Sequence, residues 1–183
     1  YNTGTVCEDA NGDEFLNIGL PMGKIHMFFG NSQGGKTTLA MQIAHAMAFP
    51  MNGDVVILDY ERSSSNLGMR YRQINNCSAE DFDNTVSLYK HAGMSTEFFK
   101  KVIFDIIELK KELKKADMIE WIDTNGKTIH IYPPTIVLAD SIPSIKPEEV
   151  LKDASLDNNM IASKMAAANN NILLTIVDAL ETY

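Results

Sequence analysis

The most constraining stretch of this sequence is Gly30-Asn31-Ser32-Gln33-Gly34-Gly35-Lys36-Thr37, which fits G-x-x-x-x-G-K-[ST] throughout. An apolar run, Ile25–Phe29, precedes it and reads as a buried strand. After it, Leu39, Ile43, Ala46 and Met47 recur at helical spacing until Pro50 and Asn52-Gly53 end the run. A strand, a glycine loop and a helix start follow one another, and phosphate chemistry needs that order. Glycines let backbone N–H groups wrap phosphate oxygens, and the helix N-terminus adds partial positive charge. Lys36 brings a mobile cation to the β and γ phosphates, Thr37 offers its hydroxyl to Mg²⁺, and Thr38 stands on the α-phosphate side. The candidate nucleotide contacts are Gly30, Asn31, Ser32, Gln33, Gly34, Gly35, Lys36, Thr37 and Thr38, with ATP and Mg²⁺ as ligands.

Two carboxylates extend the site. Ile136-Val137-Leu138-Ala139-Asp140 is an apolar strand ending in Asp, which the metal side of such a site requires. Asp140 is expected to hold Mg²⁺ largely through water, because this ion keeps much of its hydration shell. Glu61 lies just past the strand Val55–Leu58, where parallel sheets place ligand-facing residues. A carboxylate there can orient and activate the attacking water. Spacing favours Glu61 as the catalytic carboxylate beside Lys36, with Asp59 as its rival.

Strands alternating with helices predict an α/β domain with a mostly parallel sheet. The expected order has a hairpin of Thr5-Val6-Cys7 and Glu14–Ile18 about Asn11-Gly12, then buried strands Ile25–Phe29, Asp54–Tyr60 and Thr135–Asp140, with a further strand at Val86–Tyr89. Helices are expected over Lys36–Phe49, Leu67–Ile74, Ser95 to about Ala116, and Asn158 to about Glu181 with Asp157 as its cap. A small hairpin spans Trp121–Ile131 about Asn125-Gly126, and Ser141–Leu156, with Pro143 and Pro147, reads as a loop. Residues 1–20 form a hairpin and lead-in; residues 21–183 form the core, which stops after a helix whose following strand is missing and so reads as incomplete.

The charge balance is −8, so the whole surface is unsuited to coating nucleic acid, though a single positive groove is compatible with it. Two cysteines imply no disulfide framework, and the apolar runs are too short to span a bilayer, which points to a cytoplasmic protein with no membrane partner. His26, His45, His91 and His130 lack metal-ligand spacing with the cysteines. Lys110, Lys111, Lys114 and Lys115 interleave with Glu108 and Glu112 and read as i,i+4 pairing. Met41, Met47, Met160 and Met165 read first as core filler.

Taken together, these elements resemble the core of RecA-type recombinases. Gly19-Leu20-Pro21-Met22-Gly23-Lys24-Ile25 is similar to the lead-in of bacterial RecA, and Val56–Glu61 to the strand delivering that family's catalytic glutamate. Asp140–Pro147 resembles the opening of its first DNA-binding loop, and Asp157–Met165 the helix after it. The early hairpin and the enlarged stretch Met94–Tyr132 look more like bacteriophage RecA-like, UvsX-like recombinases. The resemblance implies a RecA-like P-loop NTPase core and a DNA-dependent ATPase in DNA recombination and repair. It also implies single-stranded DNA as partner, self-association into a helical filament, a single-strand-binding protein and a loading mediator, and a host cytoplasm if phage-encoded. It puts Arg70 or Tyr71 over the adenine and Ser144, Lys146, Lys152, Met160 and Lys164 toward DNA. Glu61-Arg62-Ser63 with Leu67 and Arg70 also resembles hexameric replicative helicases, and a non-hydrolysing mediator is the third reading.

Overall fold

The computed structural model describes residues 5–8, 14–17, 20, 23–62, 66–91, 93–122, 126–152 and 158–182. Strands β1 (Thr5–Glu8) and β2 (Glu14–Asn17) pair antiparallel as the expected hairpin, whose Asn11-Gly12 turn lies outside the described residues. Helix α1 (Lys36–Ala48) follows the glycine loop and runs into a 3₁₀ turn over Phe49–Met51, which ends where Asn52 adopts a left-handed conformation. Strand β3 (Asp54–Asp59), helices α2 (Leu67–Asn75) and α3 (Ala79–Thr85), and strand β4 (Val86–Tyr89) come next. Helix α4 (Thr96–Lys111), the antiparallel hairpin of β5 (Ile119–Ile122) and β6 (Thr128–Ile131), and strand β7 (Thr135–Asp140) follow. The chain closes with α5 (Glu148–Lys152) and α6 (Asn158–Thr182); Asp157, the expected cap, is outside the described residues.

The central sheet has the order β4-β3-β7, all parallel, so each connection must cross over a face. β3 sits in the middle, and its alternating side chains feed two cores. Val55 and Ile57 pack with Met41, Ala44, Leu67 and Tyr71 of α1 and α2, while Val56 and Leu58 pack with Phe99 of α4 and Ile172 and Ile176 of α6. That double burial is why the strand reads as an unbroken apolar run. The register sets Asp59 beside Asp140 at the C-terminal edge of the sheet.

Four expectations change. Ile25–Phe29 is not a buried strand: it has no ladder partner among the described residues, and Met27 and Phe29 are 61% and 88% exposed. An apolar run becomes a strand only when its N–H and C=O groups find a neighbour. β7 is half-buried at every position for a related reason, since only its β3 edge is paired among the described residues. Helix α4 stops short of Ala116, and a 3₁₀ turn over Lys115–Asp117 follows, fixed by the Asp117 carboxylate accepting the Lys114 N–H at 2.7 Å. The stretch after Asp140 is not a plain loop. Pro143 lies in the first positions of a 3₁₀ turn over Ile142–Ser144, where its missing N–H costs nothing. The Pro147 carbonyl accepts the N–H groups of Val150 and Leu151 at the start of α5. Helix α3 is announced by Ser78, whose side chain accepts the Asp81 N–H at 3.0 Å.

Candidate nucleotide-binding site

Helix α1 starts directly from Gly35, whose φ of 79° is accessible at little cost only to glycine. No side chain caps this end and no acid lies in its first turn. The caps of α3 and α4 do accept an N–H, through Ser78 and Ser95. The first turn of α1 therefore keeps its donors and its positive dipole end for an anion. Lys36 curls back over the loop, its Nζ donating to the carbonyls of Gly30 at 3.1 Å and Asn31 at 2.8 Å. Phosphate oxygens are better acceptors than these carbonyls, so the ammonium is already poised to exchange them.

Across the cleft, Thr37 Oγ1 donates to Asp140 Oδ2 at 2.7 Å. The bond joins the first turn of α1 to the end of β7, 103 residues away in sequence. A hydroxyl and a carboxylate side by side are hard oxygen donors of the kind Mg²⁺ takes, the carboxylate typically through water. These two residues fit the metal, which on binding would offset charge on the phosphate oxygens.

Glu61 is exposed, and its main chain is anchored where β3 leaves the sheet. The Asp140 carbonyl accepts the N–H of Tyr60 at 2.7 Å and of Glu61 at 3.1 Å. Its carboxylate Oε1 accepts a hydrogen bond from Ser141 Oγ at 2.6 Å. Asp59, the rival, serves the backbone instead. It is 1% exposed, and its Oδ1 accepts the Arg62 N–H at 2.8 Å. That contact braces the turn at Arg62, whose φ is 50°, and so aims Glu61 outward. Burial first, and then the Asp140 charge, push the Asp59 carboxyl above its ordinary pKa.

Lys36, Thr37, Glu61 and Asp140 share one cleft of roughly 460 Å³, walled on one side by the exposed run Met27–Phe29 and on another by β7. The cleft does not include Asp59 among its walls. Gly30 to Gly35 complete the loop, Thr38 sits one residue further into α1, and Arg70 of α2 reaches it, Nη2 to Thr38 Oγ1 at 2.5 Å. Tyr71 does not join them. It is fully buried beneath α1, edge-on to Phe82 and paired with His45 Nδ1 at 3.2 Å, and burial raises its phenol pKa. An adenine contact by Tyr71 is excluded, because one residue of helical rotation turns it into the core and leaves Arg70 outside.

The residues expected to face DNA do not form one row of free cations. Lys152 pairs with Glu148, and Lys164 of α6 pairs with Glu149 of α5 at 2.9 Å. Lys146 is exposed, and its carbonyl accepts the Thr96 N–H at 3.0 Å, docking this segment on α4. Ser144 is half-buried with its Oγ 3.4 Å from Ser141 Oγ, and Met160 is 48% exposed, which removes it from the core-filling methionines. Ser141 is the residue that motif reading passes over; its position directly after the strand-ending Asp is the available signal.

Among known families, a model described as an AAA domain, AAA_25, matches residues 14–129, well over half of the chain. The chain belongs to the AAA_25 family. AAA_25 proteins are P-loop ATPases with RecA-like and helicase-like members, which agrees with the parallel sheet, the phosphate loop and the acidic strand end. No curated protein and no solved structure matches the chain. Among the described residues, no helix is long and apolar enough to cross a membrane.

Proposed function

We propose that this AAA_25 chain hydrolyses ATP with Mg²⁺ and uses the cycle to act on single-stranded DNA as a RecA-type strand-exchange protein. The 2.7 Å bond between Thr37 and Asp140, with Glu61 at the same cleft, carries the hydrolytic part. On this reading the loop N–H groups and Lys36 hold the triphosphate, and Thr37 with Asp140 keep the metal. Glu61 orients the water that attacks the γ-phosphate. Arg70, exposed beside Thr38, is the side chain available to cover the base.

The strand-exchange part rests on the recombinase-like order of the lead-in, the Asp140–Pro147 stretch and the helix through Met165. Ser144, Lys146, Lys152, Met160 and Lys164 then line the DNA side, with the Glu148 and Glu149 pairs exchanging for phosphates. Exposed ion pairs contribute little, about 0–1 kcal/mol, so that exchange is inexpensive. Filament formation, a phage source, a cytoplasmic setting, and a single-strand-binding protein and loading mediator as partners belong to the same proposal. A helicase reading draws support from Arg70, which lies nine residues after Glu61 as in the helicase-like pattern and contacts Thr38 of α1.

The deciding experiment measures phosphate release with and without single-stranded DNA, with negative-stain microscopy of the same sample. Stimulated release with open filaments is expected. Closed rings would favour the helicase, and absent release unchanged by Glu61→Gln would favour a non-hydrolysing mediator. Lys36→Ala is expected to weaken nucleotide binding by about 100-fold, the loss of a charge-assisted phosphate contact.

A further inference from the structure

We infer that Ser141 is a positioning residue for Glu61: its hydroxyl holds the carboxylate in the nucleotide cleft, and Ser144 orients that hydroxyl. This deepens the hydrolytic reading above and rests on it. Proton inventory sets the direction of the chain. A carboxylate only accepts, so the single hydroxyl proton of Ser141 goes to Glu61 Oε1 at 2.6 Å. The Ser141 oxygen is then left as an acceptor. Ser144 Oγ, 3.4 Å away, must be the donor of that pair. The protons run one way, Ser144 to Ser141 to Glu61.

The arrangement is held from below. The Ser144 N–H donates to the Ser141 carbonyl at 3.0 Å and closes the 3₁₀ turn, and Asn169 of α6 reaches the Ile142 carbonyl at 3.4 Å. Ser141 is half-buried, whereas Glu61 is exposed. An exposed glutamate samples several rotamers in water, and fixing one costs entropy. A hydroxyl on the rigid end of β7 removes that cost before the nucleotide arrives.

The test is steady-state ATPase kinetics on the full chain with Ser141→Ala, Ser141→Thr, Ser141→Cys and Ser144→Ala, together with a nucleotide-binding titration. Ser141→Ala is expected to lower kcat about tenfold with KM and nucleotide affinity within about twofold. Ser141→Thr restores the rate, since the residue has extended dihedrals that a β-branched side chain adopts readily. Ser141→Cys, a weak donor that preserves size, falls with the alanine variant and covers the case in which Ser141→Ala does not fold. Ser144→Ala costs about two- to threefold. In a Glu61→Gln background, Ser141→Ala adds less than about twofold, because the two residues act as one unit. A merely structural serine would instead lower affinity and melting temperature, and its effect would add to that of Glu61→Gln. An undiminished kcat in Ser141→Ala and Ser141→Cys, or additive losses, would overturn the assignment. If the unsubstituted protein releases no phosphate, the hydrolytic reading itself falls and Ser141 with it. Normal turnover that Glu61→Gln sharply lowers but the Ser141 variants leave intact isolates the failure to Ser141.

Discussion

Gly53→Ala tests the frame that brings the site together. Gly53 is buried where α1 hands over to β3, and its N–H donates to the Ala48 carbonyl at 2.9 Å. A Cβ added there would stand 2.3 Å from the Pro134 carbonyl oxygen and 2.8 Å from two atoms of the Pro134 ring. That same oxygen accepts the Asp54 N–H at 2.9 Å, next to the start of the β3–β7 ladder. Relief requires one strand start to move by about 1 Å, and overpacking of this kind costs about 1–3 kcal/mol. Loss of glycine freedom in the unfolded chain returns about 0.4–1 kcal/mol. The net expectation is about 1–2 kcal/mol of destabilisation, or roughly 2–8 °C in Tm for a chain of this size. Thermal melts followed by circular dichroism, with a urea titration to check that the m-value is unchanged, give the number. The clash lies at the far end of β3 from the nucleotide, about 17 Å along the strand, so nucleotide affinity of the folded protein stays within about threefold. An unchanged or raised Tm would refute the close approach of β3 and β7 at this end.

Asp140→Asn is expected to remove most of the difference in nucleotide affinity between Mg²⁺ and EDTA buffers, read by titration of a fluorescent ATP analogue; a retained difference would separate Asp140 from the metal. Tyr71→Ala should cost about 3–5 kcal/mol in denaturant unfolding, as removal of a buried aromatic does. Arg70→Ala should cost less than about 0.5 kcal/mol yet weaken nucleotide binding, so the neighbours split stability from recognition. His45 supplies a pH signature. Burial, partly offset by the nearby Asp81 charge, depresses its pKa in the fold, so the unfolded chain takes up the proton more readily. The stabilisation is therefore present above the unfolded value, about 6.5, and is lost as pH falls through the depressed folded value. His45→Gln should shrink the Tm difference between about pH 7.5 and about pH 5.5, and an unaltered difference would count against a half-buried neutral imidazole.

Much of the site is legible in the sequence because its chemistry is local. The glycine loop, the uncapped start of α1 and the carboxylates ending or leaving apolar strands are properties of short segments. Other features are less legible where local pattern and global packing part company. Pro143 and Pro147 break the helical pattern of the sequence, yet in the fold they begin a 3₁₀ turn and α5. Arg70 and Tyr71 look equivalent as neighbours; packing of α2 against α1 decides which one is core. The lysines after Asp140 look like phosphate ligands; Lys152 finds Glu148 one turn away within α5, whereas the pairing of Lys164 with Glu149 emerges only when α5 meets α6.

The sequence by itself determined the phosphate loop, the strand and helix that carry most of the site, and which residue types could serve there. Backbone preferences and side-chain period act within a few residues and need no distant partner. Only the tertiary structure decided that Thr37 meets Asp140, that Glu61 and not Asp59 enters the cleft, that Ser141 reaches Glu61, and that Ile25–Phe29 has no strand neighbour among the described residues. Those outcomes depend on the register of β3 against β7, in which Asp59 lies beside Asp140. A parallel pairing across some eighty residues is chosen by the burial of two cores at once, and no single segment contains that information.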